Sequence, residues 1–338
     1  MNKVPKNVRE SMLSLWIQRY FPKEHQGKVW DTFSLGKGSG MLLRMASDRI
    51  SIFDFVLPFT IPFKGIVLNK LTIFWCYILE KAGIKHHVLF HGEAVWGQLV
   101  GLSMLRDITI DDDFMRKEII ERCVIVKKLN MIPYELIVRG YLTGSGWEAY
   151  QQNNGMVCGH LLPTGLNDGS KLPTPIFTPT TKNDKGHDEH VPESVLIAKY
   201  GTEIRELAFS VFNTISRVLS KLGILIADMK IEAGYDEKGN LIVADEFGGP
   251  DTCRFWLSTM WQKAQELKTA PIGYDKQFVR EKGKQIQTLW GHGINRLKPD
   301  NEEHVNWVHD CVQFSKKVII DTSALYLEIY NMITGIDL

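Results

Sequence analysis

The densest chemistry in the chain lies between residues 224 and 246. There Ile224-Leu225-Ile226-Ala227-Asp228-Met229-Lys230-Ile231-Glu232 leads into a turn at 235–240 and returns as Leu241 to Glu246, the pattern of a β-hairpin. Alternate side chains of a strand share a face, so Asp228, Lys230 and Glu232 project together while Ala227, Met229 and Ile231 back onto a core. The register decides which acid joins them. Pairing Glu232 with Val243 brings Asp245 to the charged face; a one-residue slip reverses every side chain and brings Glu246 instead. Either way, two or three carboxylates converge around one lysine. Hard oxygen ligands with room for water and a substrate phosphate suit Mg²⁺. The plainer alternative is a solvated face of cross-strand ion pairs.

A second cluster is Val138-Arg139-Gly140-Tyr141-Leu142-Thr143-Gly144-Ser145-Gly146-Trp147. Glycines at 144 and 146 permit a backbone that turns successive N–H groups toward one anion. Ser145 adds a hydroxyl, and Arg139 offers a bidentate fork for phosphate or carboxylate. Gly27-Lys28-Val29 opens a first hairpin, and Lys127-Lys128 follow an apolar strand, where lysines can neutralise nucleotide phosphates. The glycines at 36–40 lack phosphate-loop spacing and read as a hairpin tip. Thr178 to Asp188, including Lys182, has the polar density of a substrate lid. Pro250-Asp251-Thr252-Cys253-Arg254-Phe255-Trp256 and Tyr274-Asp275-Lys276-Gln277-Phe278-Val279-Arg280 each set charges beside bulky aromatics.

The elements that must position these groups are partly legible. Val29 to Leu35 and Met41 to Ala46 read as paired strands, and Cys123-Val124-Ile125-Val126 as an inner one. Asn69 to Gly83 reads as a buried helix with an Asn start and a Gly stop. Ile204, Leu207, Ala208, Val211, Ile215, Val218, Leu219 and Leu222 form one helical stripe closed by Gly223. Tyr134 to Val138 reads as a strand, 159–192 as a long loop, and the chain beyond 281 as helical with a break at Lys298-Pro299-Asp300. This is an α+β order, without the regular alternation of a doubly wound sheet.

Composition narrows the function classes. With 338 residues the chain suits about two domains or one large lobed unit. Lys+Arg at 40 against Asp+Glu at 39 leaves a net charge of +1, which argues against a nucleic-acid coat. Five scattered cysteines without a C-x-x-C pair point away from a disulfide framework or structural zinc and toward a reducing compartment. Neither a secretory signal nor an apolar run long enough to span a bilayer is visible, so a cytoplasmic protein acting on small molecules is expected, with no nucleic-acid or membrane partner.

Together these segments resemble the phosphoribosylaminoimidazole-succinocarboxamide synthase (SAICAR synthetase) family. The resemblance is carried by Gly27-Lys28-Val29, Ala46-Ser47-Asp48-Arg49-Ile50-Ser51 with Phe53-Asp54, Val126-Lys127-Lys128-Leu129 and the 138–147 cluster. Pro175-Ile176-Phe177-Thr178-Pro179, Lys182 with His187-Asp188, Ala227 to Glu232, Ala244-Asp245-Glu246 and Pro250-Asp251 with Arg254-Phe255-Trp256 complete it. It implies a two-lobed α+β fold: an antiparallel nucleotide-binding sheet lobe at 1–135, and a larger mixed substrate- and metal-binding lobe with terminal helices at 136–338. It also implies ATP-dependent joining of L-aspartate to the carboxylate of carboxyaminoimidazole ribonucleotide, with Mg²⁺. By similarity, Glu232 and Asp245 hold the metal, and Lys230 and Asp228 sit at the reacting groups. Gly27, Lys28, Val29, Lys127 and Lys182 serve ATP. Arg139, Ser145, Arg254, Asp251, Asp48, Arg49, Lys276 and Arg280 serve the other substrates. Trp30 stands where a basic residue is common, which removes one charge from the phosphate side; Ala233, Gly248-Gly249 and Cys253 also depart from the pattern. Alternatives are a non-catalytic nucleotide-binding homologue and a ligase for another acid and amine. Oligomeric state is left open.

Overall fold

The computed structural model describes residues 11–102, 113–182 and 189–338. Strands β1 (Lys23–Gln26), β2 (Trp30–Ser34) and β3 (Met41–Ala46) form an antiparallel meander, and β4 (Arg49–Ile52) and β5 (Phe55–Thr60) a separate hairpin. With β6 (Val88–His91) and β7 (Cys123–Lys127), the meander makes a five-stranded sheet of order β1-β2-β3-β7-β6. Both faces of β7 are covered, which explains its unbroken apolar run. Cys123 and Ile125 pack with Phe33, Leu43 and the Met12–Gln18 helix, while Val124 and Val126 join the main core.

The second sheet contains β8 (Asn130–Met131), β9 (Tyr134–Leu142), β12 (Ser170–Phe177), β13 (Thr180–Thr181), β14 (Ile224–Tyr235), β15 (Leu241–Ala244) and β16 (Cys253–Leu257). A small hairpin, β10 (Met156–Val157) with β11 (His160–Leu161), stands apart. The long β14 is the spine, pairing with β9, β15, β16 and β8. The Glu203–Lys221 helix lays Ile204, Ala208, Val211, Ile215 and Leu219 on the face made by Leu136, Val138, Met229 and Ile231. Ala227 does not follow Met229 and Ile231: the β14–β16 register shifts between Ile226 and Met229, and Ala227 packs with Tyr141 and Trp256 instead.

Two further expectations are corrected. The buried helix runs Lys64–Lys81, starting before Asn69, because its first turn is capped from outside: the Gly65 N–H donates to the Asp48 carboxylate at 2.8 Å. Asn69 lies inside the helix and donates to the Glu121 carbonyl. The stretch read as a long loop contains β12, a strand whose register breaks between Lys171 and Ile176; an edge position with such a break tolerates Pro173 and Pro175.

The chain beyond β16 wraps back over the first part. The Gln277–Lys284 and Glu302–Cys311 helices bury Val279, Val308 and neighbours against the β4–β5 hairpin. The terminal helix Lys316–Thr334 drives Tyr326, Ile329, Tyr330 and Ile333 into the main core. The two sheets are stitched along one border. The Val243 N–H donates to the Lys85 carbonyl, the His87 N–H to the Val243 carbonyl at 3.0 Å, and the Lys127 N–H to the His87 carbonyl at 2.7 Å. Among the described residues no helix is long and apolar enough to cross a membrane.

Candidate active site

A cavity of about 1480 Å³ opens between the sheets and gathers most of the singled-out residues. The acidic cluster is built by β14 and β15. Their register sets Glu232 opposite Ala244, the slip that would carry position 246 to the charged face. The ladder stops at Ala244, however, and Asp245 takes a left-handed backbone (φ 60), so alternation ends there. The Asp245 carboxyl turns into hydrogen-bonding reach of Glu232. Glu246 is buried, where its Oε2 accepts the Trp30 indole N–H at 3.0 Å. Burial and the Asp245 charge raise Glu232 above the ordinary carboxylate range. Burial pushes Asp245 the same way, but Arg44, Lys230 and Lys182 outweigh it and hold that carboxyl far below its usual value.

Lysines surround the pair. Lys182 Nζ lies 2.5 Å from Glu232 Oε2, and Lys230 Nζ 3.8 Å from Glu232 Oε1. Lys230 also donates to Glu135 Oε1 at 2.8 Å. Burial would strip the Lys230 proton, but Glu135, Glu232 and Asp245 keep it, raising the group well above an ordinary lysine. Glu135 was not singled out from the sequence, although alternation puts it with Ile137 and Arg139 on the sheet face that carries Asp228 and Lys230 of β14.

The second centre is an arginine pair. Arg139, paired across the ladder with Asp228, is 1% exposed. It donates from Nη1 to Asp228 Oδ2 at 2.7 Å, from Nε to Thr178 Oγ1 at 2.9 Å, and from Nη2 to Ser145 Oγ at 3.0 Å. Arg254 donates to the same Asp228 oxygen. Burial and the Arg254 charge lower the Arg139 guanidinium from its ordinary value. Ser145 starts the Ser145–Gln152 helix, and Gly144 before it has φ 56. A Cβ at 144 would come within 2.7 Å of the Arg254 Cζ, so glycine is what lets the arginine reach this turn.

The third centre surrounds Asp251. Its carboxylate accepts from buried Lys64 at 2.8 Å and from the Tyr326 hydroxyl of the terminal helix, with Lys276 at 3.7 Å. Burial, reinforced by Arg280, lowers Lys276 to about 8, and burial raises Asp275 to about 6. Asp275 Oδ2 accepts the Phe255 N–H, while its Oδ1 accepts the Gln277 N–H at the start of the helix bearing Arg280. Lys64 and Tyr326 were missed because nothing near them in sequence marks them as polar partners.

On the other wall, Gly27-Lys28-Val29 is the turn between β1 and β2, closed by the Gly27 N–H donating to the Trp30 carbonyl at 2.8 Å. Lys28 pairs with Asp54, whose own turn has Phe53 and Asp54 both left-handed. Lys127 lies 3.6 Å from Asp236. Asp48 and Arg49 do not line the cavity. Arg49 is 1% exposed, pairs with Asp31 at 2.5 Å and donates to the Gly27 and Val29 carbonyls at 3.2 Å, so it braces the turn from behind. Asp48 is taken up by Gly65 and by Arg122 at 2.8 Å. Both were expected at the substrate, and here both are engaged by the protein behind the cavity wall. His187 and Asp188 of the proposed lid lie outside the described residues.

A cleft with paired carboxylates, a lysine ring and a two-arginine cradle can bring polyanions together and neutralise them. A model of the SAICAR synthetase family matches residues 23–297. A phosphoribosylaminoimidazole-succinocarboxamide synthase of Methylibium petroleiphilum is 39% identical over 76% of this chain and 80% of its own length. One of Albidiferax ferrireducens is 33% identical over 97% of this chain and 100% of its own. The solved structure of SAICAR-synthase from Saccharomyces cerevisiae, complexed with SAICAR, superposes with a TM-score of 0.72 at 30% identity, covering 94% of this chain and 96% of that one. With a family match across most of its length and relatives of this likeness, the chain belongs to the SAICAR synthetase family.

Proposed function

We propose that this protein joins L-aspartate to the carboxylate of carboxyaminoimidazole ribonucleotide at the expense of ATP, yielding SAICAR, ADP and phosphate. The observation that carries the reading is Glu232 beside Asp245, ringed by Lys182 and Lys230, in the same cavity as the Arg139–Arg254 pair. A carboxylate resists an amine until one oxygen becomes a leaving group. Transfer of the γ-phosphoryl group to that oxygen releases ADP; the aspartate nitrogen then bonds to the carboxyl carbon, phosphate departs, and the nitrogen gives up a proton to solvent. Each step crowds negative charge, so positioning and cations dominate the catalysis.

In this reading the Gly27–Val29 turn covers the nucleotide, and Lys28, Lys127 and Lys182 meet its phosphates. Arg139, Arg254 and Ser145 hold an anionic group of the ribonucleotide, with Lys276 and Arg280 nearby and Asp251 orienting Lys276. Lys230 neutralises the carboxyl under attack, and Asp228, held between two guanidinium groups, positions them. Glu232 and Asp245 fit Mg²⁺: two adjoining carboxylates, one buried with raised proton affinity and one partly open to the cavity, are a donor set a hard divalent ion relieves. When bound, that ion would shield the phosphate chain of ATP. The division into a nucleotide lobe at 1–135 and a substrate lobe at 136–338, and a cytoplasmic setting, belong to the same reading.

The test is phosphate release and SAICAR formation by purified protein given ATP, Mg²⁺, aspartate and the ribonucleotide. Intact ATP binding without turnover would favour a non-catalytic homologue. Phosphate release with a different acid–amine pair alone would favour another ligase.

A further inference from the structure

Arg44 belongs to none of the motifs singled out from the sequence, yet it lines the cavity. The β2–β3 register pairs Thr32 with Arg44 and Trp30 with Ala46, which sets Trp30 and Arg44 diagonally on one sheet face. The Arg44 guanidinium lies 4.6 Å from the centre of the Trp30 ring. That ring is itself pinned by its N–H to Glu246. A cation resting on an aromatic face is held without spending hydrogen-bond donors. The Arg44 side chain makes one hydrogen bond among the described residues, to Asp245, and a guanidinium carries five N–H groups. Its remaining donors are available to an anion in the cavity, on the wall that also carries Lys28 and Lys127.

We propose that Arg44, shelved on Trp30, binds the phosphate chain of the nucleotide from β3. The proposal rests on the ligase reading only in taking the anion to be a nucleotide phosphate. The opposite side of the cavity already has its own arginines, Arg139 and Arg254, engaged with Asp228. Asp245 has Lys182 and Lys230 close by in addition to Arg44, so Arg44 can turn toward a phosphate without leaving that carboxylate bare.

The experiment compares ADP and adenosine binding, by calorimetry, to the parent protein, Arg44→Met, Arg44→Lys and Trp30→Leu. Arg44→Met is expected to weaken ADP by roughly tenfold or more, the scale of a lost charge-assisted hydrogen bond, and to leave adenosine unchanged. Arg44→Lys should recover part of the loss. Trp30→Leu, which removes the shelf and keeps the cation, should give a smaller loss in the same direction. ADP binding to Arg44→Met equal to the parent's, or equal loss of ADP and adenosine, would overturn the proposal. A parent that binds no ADP sinks both this and the ligase reading. A parent that binds ADP and never ligates sinks the ligase reading alone, and the Arg44 comparison still decides.

Discussion

Asp245 shows how one backbone angle can set a site. Strand alternation left Asp245 and Glu246 as rival members of the charged face, and the observed register would have chosen Glu246. The left-handed turn at Asp245 reverses that outcome, and no pattern of apolar and polar residues encodes it. Asparagine tolerates this conformation, so Asp245→Asn is expected to fold, with a lowered melting temperature because the charge that Arg44, Lys230 and Lys182 stabilise is gone, and to lose about 100-fold or more in ATP-dependent phosphate release. Near-parental turnover would remove Asp245 from the metal site. Lys276 gives a pH signature. Its folded value of about 8 lies below that of a free lysine, roughly 10.4, so the folded protein binds fewer protons between those values. Its contribution to stability therefore rises with pH across that window and is unfavourable below it. Lys276→Met should raise the melting temperature at pH 7 and flatten the rise between pH 8 and 10. An unchanged pH profile would show that Lys276 is not desolvated.

At the level of elements, the β1–β2 turn is shaped by a residue that never reaches the cavity. Arg49 ties Asp31 to two carbonyls of the turn, so Arg49→Met leaves a buried carboxylate short of its closest cation. A loss on the order of 3 kcal/mol in stability is expected, together with weaker nucleotide binding and an unchanged ribonucleotide KM. Equal damage to both ligands would mean a general collapse instead. Elements with strong local signals were legible: the 203–221 helix keeps its stripe except for Leu222, which lies past its end and is exposed, and the strands around the glycine-rich 36–40 turn pair as read. Elements completed by distant residues were not. The Lys64–Lys81 helix starts on an aspartate from another element, and β12 is a strand only because β9 is there to pair with it. The candidate site follows the same rule. Charges on one strand face were found, whereas Glu135, Lys64, Tyr326 and Arg44 became visible only when separate segments met.

Across the whole molecule, the terminal helix is part of the site's support. Tyr326 donates a hydrogen bond from its hydroxyl to Asp251, on which Lys64 and Lys276 also converge. Tyr326→Phe should cost about 1.5–3 kcal/mol in stability, the range for a hydrogen bond to a charged group, and slow turnover while nucleotide affinity holds. Full activity with lowered stability would make the contact purely structural. The stitched border has a mechanical meaning. Val243, His87 and Lys127 are joined there by main-chain hydrogen bonds, as in a book sewn along its spine. Pulling the covers apart at that side would break several such bonds together, so any opening that admits reactants is expected at the fore-edge, where the β1–β2 turn and the second sheet line the same cavity.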